Sequence, residues 1–121
     1  MNIPIMLACV VIGTITEAVS HWQKLWIYDP PWLRLASVLM VFGLVFGWMS
    51  TVLADHPAIL RFAIGAGVGI VYEALNLSLL RVFTFPNQRL LFLRGRVALA
   101  VGAGMPWGLL PLAAPLFRRL V

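Results

Sequence analysis

The sequence predicts an all-α membrane protein in which four transmembrane helices form two helical-hairpin repeats. The first reason is composition, because 62% of the 121 residues are hydrophobic and the mean hydropathy is +0.97. The second is that four apolar stretches each approach the roughly 20 residues that a spanning helix needs. The third is the pattern G-x3-E-A-x11-P, which runs from Gly13 to Pro30 and recurs from Gly69 to Pro86, 56 positions later.

The repeated pattern defines the domain organisation. We expect a single membrane domain over residues 1–121, with repeat 1 over about 3–57 and repeat 2 over about 58–117. Because each repeat is a two-helix hairpin, both copies enter the bilayer in the same sense. The repeats should therefore be parallel, in tandem, and related by a pseudo-two-fold axis along the membrane normal.

Helix 1 is predicted from about Ile3 to Ile27, and Asp29-Pro30-Pro31 ends it. A helix that is apolar elsewhere cannot turn a polar stripe to lipid, so such a stripe should face protein or water. The N-terminus has no basic n-region and no small-residue cleavage site follows, so we interpret helix 1 as retained rather than as a signal peptide. Spacings of 3, 4, 3 and 4 place five polar residues on one face: Thr14, Glu17, His21, Lys24 and Tyr28.

Helix 2, predicted from about Leu35 to Ala54, contains no charged residue. Gly43 and Gly47 form a G-x3-G pair, which continues into further small residues towards the end of the helix. Such edges let helices pack closely in lipid. We interpret this edge as a packing surface.

Helix 3, predicted from about Ala58 to Phe83, repeats helix 1. Glu17 and Glu73 both follow small residues at four-residue steps, so each glutamate lies on a face that another helix can approach closely. Asn76 adds a polar neighbour one turn after Glu73. The second copy has leucine where the first has its histidine and lysine, so it keeps the acid without the basic residues.

The third connection, Pro86 to Arg96, mixes three arginines with a Leu-Leu-Phe-Leu core. We expect it to lie at the lipid headgroups, with its cations over anionic lipid. Helix 4 is predicted from about Val97 to Phe117 and contains Pro106, Pro111 and Pro115. Each proline removes a backbone donor and frees a carbonyl, so we expect a kinked or broken helix.

The distribution of basic residues predicts the orientation. The positive-inside rule places the side with more lysine and arginine in the cytoplasm. This puts the first and third connections in the cytoplasm and both termini outside, in a multi-pass protein of the bacterial cytoplasmic (inner) membrane. Six basic residues belong to the two cytoplasmic connections and their helix ends (Lys24, Arg34, Arg81, Arg89, Arg94 and Arg96), and three to the other side (Arg61, Arg118 and Arg119).

The two intramembrane glutamates are the candidate functional residues. The pseudo-two-fold axis would bring helices 1 and 3 face to face and set Glu17 opposite Glu73. Two close carboxylates in low dielectric cannot both ionise at little cost, so one should be protonated, share a proton or be matched by a cation. Lys24 is the internal candidate for that cation. We predict a substrate- or ion-binding site of six residues: Glu17, Glu73, His21, Asn76, Thr14 and Lys24.

We expect no metal, no other cofactor and no nucleic-acid partner. Glu17, His21 and Glu73 could offer three metal ligands, but no further histidine lies in the spans to support such a site. The sequence has no phosphate loop, nucleophile elbow or HExxH motif, so we assign no catalytic residue. The net charge of +5 belongs to the loops, which offer too little solvated basic surface for nucleic acid. The single cysteine, Cys9, excludes an intramolecular disulfide.

Three classes of function remain open, and transport leads. A small transporter or channel would move a cation, a proton or a small solute through the paired glutamates. In its length, its four helices and the glutamate of its first helix, the chain resembles the small multidrug-resistance transporters. That resemblance is one of architecture, without a shared motif, and here the glutamate is duplicated. Because four helices enclose little volume, transport implies a homo-oligomer.

The other two classes are an enzyme and an accessory subunit. The string E-x8-W-x-Y-x-P, from Glu17 to Pro30, resembles patterns in membrane-embedded carotenoid-modifying enzymes, in which carboxylates serve as acid and base. That resemblance implies a lipid-soluble, polyprenoid substrate, although the second repeat lacks the W-x-Y. A non-catalytic accessory subunit would instead use its small-residue faces and aromatic girdle to dock partner membrane subunits.

Overall fold

The computed structural model describes residues 2–117, apart from the side chain of Gln88, and contains four helices long and apolar enough to cross a bilayer. The four helices are helix 1 (Ile3–Gln23), helix 2 (Leu33–Val52), helix 3 (Ala58–Leu80) and helix 4 (Arg96–Phe117). This architecture agrees with the predicted four-span, all-helical membrane protein. Arg118 and Arg119, which enter the predicted orientation, lie outside the described residues.

Helix 1 ends at Gln23 and not at the predicted Ile27, because Lys24 takes a left-handed backbone conformation with φ 54° and ψ 42°. The helix begins after Asn2, whose side chain accepts a hydrogen bond from the backbone N–H of Ile5. Its buried face advances in steps of four and three residues through Ile5, Cys9, Gly13, Glu17 and Ser20.

The prediction that five polar residues share one inward-facing side of helix 1 is wrong. The helix has ended before Tyr28, and Thr14, His21 and Lys24 are exposed, whereas Glu17 is buried. Thr14 needs no polar neighbour on another helix, because its hydroxyl donates to the carbonyl of Val10 one turn earlier, at 2.8 Å. The buried face is centred on small residues at four-residue steps, which leaves the threonine and the histidine outside it.

Helix 2 packs on helix 1 through its glycine pair. A Cβ atom at Gly43 would lie 3.0 Å from the side chain of Val10, and one at Gly47 would lie 3.3 Å from Met6. The G-x3-G edge is thus used inside the chain, as the predicted packing surface requires. Part of helix 2, Ser37–Val45, has π-helical hydrogen bonding, which the sequence does not predict.

Helix 3 ends at Leu80, three residues before the predicted Phe83, after a π-helical last segment. Arg81 stops it with a left-handed backbone at φ 49°. Asn76, fully buried, then holds the chain that follows: its Nδ2 donates to the carbonyl of Phe83 at 2.9 Å, and its Oδ1 accepts from the Phe83 N–H at 3.2 Å. Helices 1 and 3 therefore both end in a left-handed residue.

The first and third connections meet at one end of the bundle. Strand β1 (Ile27–Tyr28) pairs antiparallel with strand β2 (Phe83–Thr84), with Ile27 opposite Thr84 and Tyr28 opposite Phe83. The third connection continues into a small hairpin of β3 (Arg89–Leu90) and β4 (Leu93–Arg94). The second connection lies at the other end, close to the N-terminus, where the N–H of Asn2 donates to Thr51 Oγ1 at 3.2 Å.

Helix 4 occupies the centre of the packing. It contacts helices 1, 2 and 3, and helix 3 packs on it more than on any other element. Two segments, Met105–Gly108 and Ala114–Phe117, tighten into 3₁₀ geometry at Pro106 and Pro115, in line with the expected interruption of the helix. Helices 1 and 3 do not form a major interface, contrary to the expected face-to-face arrangement, because helix 4 lies against both of them.

Candidate functional site

A cavity of about 220 Å³ lies inside the bundle, and both intramembrane glutamates line it. Glu17 and Glu73 are 4% and 3% exposed, so both carboxyl groups are removed from the surface. Most of the remaining wall is apolar and rich in aromatic rings, contributed by Trp26, Tyr28, Phe42, Phe83, Phe85 and Trp107. The predicted meeting of two buried acids at one cavity is therefore present, although their helices scarcely touch.

Glu17 is fully engaged by three side chains from the first connection and the start of helix 2. Its Oε1 accepts from the Tyr28 hydroxyl at 2.7 Å, and its Oε2 accepts from Trp26 Nε1 and Arg34 Nη1, both at 2.9 Å. The contact with Arg34 is also an ion pair. This set of donors matches an ionised carboxylate, which has only acceptor atoms.

Arg34 fixes the backbone around Glu17 as well as its charge. Its Nη1 also donates to the carbonyl of Glu17 at 2.7 Å, and its Nη2 donates to the carbonyl of Trp26 at 3.0 Å. The guanidinium lies 4.9 Å from the ring centre of Tyr28. Burial and the neighbouring carboxylate raise the pKa of the Tyr28 hydroxyl well above its usual range, so the hydroxyl stays protonated and remains a donor.

The local sequence explains how two aromatic donors reach one carboxylate. Trp26 directly precedes β1 and Tyr28 is its last residue, and both side chains reach the carboxylate of Glu17. Helix 1 ends between Glu17 and this segment, and the left-handed Lys24 turns the chain back towards the carboxylate. The string E-x8-W-x-Y is thus an acid followed by its own two hydrogen-bond donors.

Glu73 has a different environment. Its Oε1 accepts a hydrogen bond from Trp107 Nε1 at 3.0 Å, whereas its Oε2 is buried and has no hydrogen-bond partner among residues 2–117. No cationic side chain pairs with it in that part of the chain. Gly69, one turn earlier, makes the approach of Trp107 possible, because a Cβ atom there would overlap the indole and the carbonyl of Gly104.

Trp107 also places an aromatic wall beside the carboxyl of Glu73. Its ring centre lies 4.5 Å from that of Phe42 and 4.7 Å from that of Phe46, with the second pair stacked. Helix 4 carries this tryptophan on its 3₁₀ segment Met105–Gly108, at the level of the cavity. The indole therefore joins helices 2, 3 and 4 around the free oxygen of Glu73.

The structure brings together only part of the predicted site. Glu17 and Glu73 line the cavity, but Thr14, His21 and Lys24 are exposed and do not line it. Lys24 is not the cation of Glu17. It lies past the end of helix 1, where its backbone is left-handed, and Arg34 forms the ion pair with Glu17 instead. The sixth predicted residue, Asn76, is buried below the cavity and is bound to the Phe83 backbone.

Two residues of the site, Arg34 and Trp107, were not predicted, although the sequence contains an indication of each. Arg34 stands just after the first connection, at the start of a helix otherwise without charge, which is a suitable place for the counter-ion of a buried acid. Trp107 lies in the middle of helix 4 instead of at a membrane interface, where tryptophan usually occurs. An indole N–H buried at that depth needs an acceptor, and Glu73 provides it.

The described residues contain no group of three or more His, Cys, Asp or Glu side chains that could hold a metal ion. Comparison of the chain with protein-family models, with curated proteins and with solved structures finds no match. The cavity and its two glutamates are therefore the features of this chain that bear on its function.

Proposed function

We propose that the protein is a small membrane transporter that carries a hydrophobic cation and exchanges it for a proton at Glu73. The observation that carries this proposal is the buried Oε2 of Glu73, which lines an aromatic cavity and has no partner among the described residues. A carboxyl group in that position can bind either a proton or a cationic group, but not both. Exchange of one for the other is the elementary step of proton-coupled transport.

The cavity wall favours an organic cation over a hydrated metal ion. Aromatic faces attract quaternary ammonium and related cations, and the attraction grows when both partners are removed from water. An aromatic wall offers no oxygen ligands to replace the water shell of Na⁺ or K⁺. The volume of about 220 Å³ lies below the roughly 300 Å³ at which drug-sized pockets begin, so the ligand should be small or bind by one end.

Glu17 has a fixed role in this mechanism. Its charge is matched by Arg34 and its two oxygens are filled by three donors, so it has little capacity to exchange ligands. Together with Arg34, Glu17 instead forms a rigid part of the site that carries no net charge. Pro106 and Leu109 line the same cavity and are exposed on the outside of helix 4, which offers a hydrophobic ligand a route from the lipid.

We further propose that the chain consists of two tandem hairpin repeats related by a pseudo-two-fold axis along the membrane normal. In support, β1 and β2 occupy matching positions of the two copies and pair with each other symmetrically. Gly13 and Gly69 also match, and each accommodates an aromatic ring of the following helix, Phe42 and Trp107 respectively. Two related halves around one site are a common plan in secondary transporters.

The same end of the bundle carries the first and third connections and most of the basic residues. On the positive-inside rule we propose that this end is cytoplasmic and that both termini lie outside. The lipid-facing sides of the helices are apolar, and we retain the prediction that the chain functions as a homo-oligomer or with partner membrane subunits.

Ligand binding in detergent tests the proposed site directly. Benzyltrimethylammonium combines an aromatic ring with a compact cation, and neopentylbenzene has the same shape without the charge. We expect the purified protein to bind the cation more tightly, and Glu73→Gln to abolish that preference. Loss of the Coulombic attraction between the carboxylate and the quaternary cation, in a site removed from water, corresponds to about a tenfold or greater decrease in affinity for the cation. Isothermal titration calorimetry measures both ligands.

Transport requires a second measurement in liposomes. An imposed proton gradient should drive uptake of the same cation by the wild-type protein and not by Glu73→Gln. Ser78→Ala is the matched control on the same helix, because Ser78 is exposed and its hydroxyl, among residues 2–117, donates only to the carbonyl of Ala74 one turn earlier. Proton-driven uptake by Glu73→Gln equal to that of the control would refute the proposal.

An enzyme that acts on a lipid-soluble, polyprenoid-like substrate is the second candidate. The observation that favours it is the contrast between the two carboxyls, one held as an ion pair and one without a cation, because acid–base catalysis uses groups with different proton affinities. Tighter binding of neopentylbenzene than of the cation, with affinity unaffected by Glu73→Gln, would favour this candidate over transport.

A further inference from the structure

A second pocket, of about 270 Å³, lies outside the glutamate cavity at the end of the bundle where the first and third connections meet. The π-helical end of helix 3, strand β2 and the start of helix 4 form it. Phe83 and Phe85 line both pockets and separate them. This pocket is more polar than the glutamate cavity, and its polar residues are cationic or neutral: Asn76, Arg81, Thr84 and Arg96.

Two arginines from different helices line this pocket without a partner. Arg81 follows helix 3 and Arg96 begins helix 4, and neither side chain has a hydrogen bond or an ion pair among residues 2–117. Two guanidinium groups that share one pocket repel each other unless an anion lies between them. Guanidinium groups bind phosphate oxygens in paired hydrogen bonds, which makes a phosphate group the matching ligand.

A buried donor adds to the same pocket. Asn76 is 0% exposed, and its Nδ2 gives one hydrogen to the Phe83 carbonyl while the second has no acceptor among the described residues. Gly95 precedes helix 4 at φ 85° and brings no side chain to cap the first N–H groups of that helix. Free N–H groups at a helix start favour a negative charge.

The position of the third connection points to a lipid as the source of the phosphate. The tip of the β3–β4 hairpin, Leu91 and Phe92, is 63% and 84% exposed, and arginines 89 and 94 flank it. Apolar side chains beside basic ones are typical of segments that lie at the headgroup level of a bilayer. The apolar part of the pocket wall, which includes Leu77 and Leu99, suits the start of an acyl chain.

We infer that Arg81 and Arg96 bind the phosphate of one anionic phospholipid in this pocket, with Asn76 as an additional donor. The lipid joins the end of helix 3 to the start of helix 4 across the outside of Phe83 and Phe85. This site is independent of any transport through the glutamate cavity, since it shares only those two rings with it.

Native mass spectrometry of the purified protein tests this inference with dioctanoyl phosphatidic acid as the probe. The wild-type protein should retain one molecule of this lipid in preference to dioctanoyl phosphatidylcholine. The double variant Arg81→Gln/Arg96→Gln should bind the acidic lipid about tenfold or more weakly, because two charge-assisted contacts are lost. Inorganic phosphate at the same concentration should not displace the lipid.

The matched control is the double variant Arg89→Gln/Arg94→Gln, which removes the same charge from the same connection but from residues that do not line the pocket. It should bind dioctanoyl phosphatidic acid as the wild type does. Equal weakening in both double variants would show a general charge effect and overturn the inference. Displacement by inorganic phosphate would overturn the assignment to a lipid.

Discussion

The two glutamates occupy matching positions of the repeated pattern, and the structure treats them in opposite ways. Glu17 receives three donors, of which two come from its own connection and the third, Arg34, is also its counter-ion. Glu73 receives one donor, from a different helix, and keeps a buried oxygen without a partner among the described residues. The same acid is therefore saturated by donors in one half and left with a free acceptor atom in the other.

The sequence difference behind this contrast is small. In the first copy, tryptophan and tyrosine stand nine and eleven residues after the glutamate, and in the second copy valine and threonine stand there. Neither Val82 nor Thr84 can replace an indole N–H or a phenol at that distance. Glu73 therefore depends on Trp107, which reaches only one of its two oxygens. The second copy also has Leu90 where the first has Arg34, so Glu73 lacks the counterparts of all three donors to Glu17.

The largest expected effect follows from removal of the guanidinium. Arg34→Gln leaves the carboxylate of Glu17 buried without a counter-ion and removes one donor from each of two backbone carbonyls, those of Glu17 and Trp26. We expect the free energy of unfolding to fall by about 3–5 kcal/mol. Unfolding by increasing dodecyl sulfate in mixed micelles, followed by tryptophan fluorescence, measures the loss. Arg94→Gln, on the exposed hairpin, is the control, and an equal stability of the two variants would contradict this role for Arg34.

The next effect separates the two acids from each other. Glu17→Gln leaves Arg34 without its counter-ion and should cost about 2–4 kcal/mol. Glu73→Gln should change stability by less than about 1 kcal/mol, because its amide oxygen can still accept from Trp107 and no cation loses a partner. The same unfolding assay compares them.

A double-mutant cycle checks the origin of that difference. The variant Glu17→Gln/Arg34→Gln should be more stable than the sum of the single changes predicts, because neither charge is then left alone. Additive changes, or a loss in Glu73→Gln as large as that in Glu17→Gln, would mean that the two sites do not differ as described.

A weaker destabilisation than that of Arg34→Gln or Glu17→Gln is expected where Trp107 approaches Glu73. Gly69→Ala places a methyl group against the indole and the Gly104 carbonyl and should cost about 1–3 kcal/mol through the repacking of helix 4. Gly67→Ala, two residues earlier on the exposed side, meets nothing within 4 Å and should be neutral or stabilise by up to about 1 kcal/mol. The same micelle titration gives both values. A neutral Gly69→Ala would show that this close contact does not position the tryptophan.

The existence of the spans and the inward position of the two glutamates could be predicted from the sequence, because both follow from the cost of exposing polar groups to lipid. The ends of helices 1 and 3 could not. Lys24 and Arg81 adopt left-handed conformations although neither is glycine, and each lies shortly before a strand, β1 or β2, that pairs with the other half of the chain.

The hydrogen-bond and ion-pair partners of the two glutamates could not be predicted from the sequence either. Sequence spacing identifies neighbours on one helix and therefore predicted Lys24 as the cation of Glu17. The observed partners, Arg34 for Glu17 and Trp107 for Glu73, lie on other helices. The π-helical segment of helix 2 shifts the register of the residues after Ser37, so even a correct face assignment at its start does not carry through to its end. Such contacts depend on how the helices pack against one another, and the periodicity of polar and apolar residues along one helix does not predict that packing.

The pairing of β1 with β2 has a mechanical consequence. It joins the chain after helix 1 to the chain after helix 3 by backbone hydrogen bonds. At the other end the second connection itself links the two halves, and Arg61 of helix 3 donates to the carbonyl of Ala54 at 3.2 Å. Both ends of the bundle therefore tie the halves together, so spreading the far ends of the helices would first have to break the contact of Arg61.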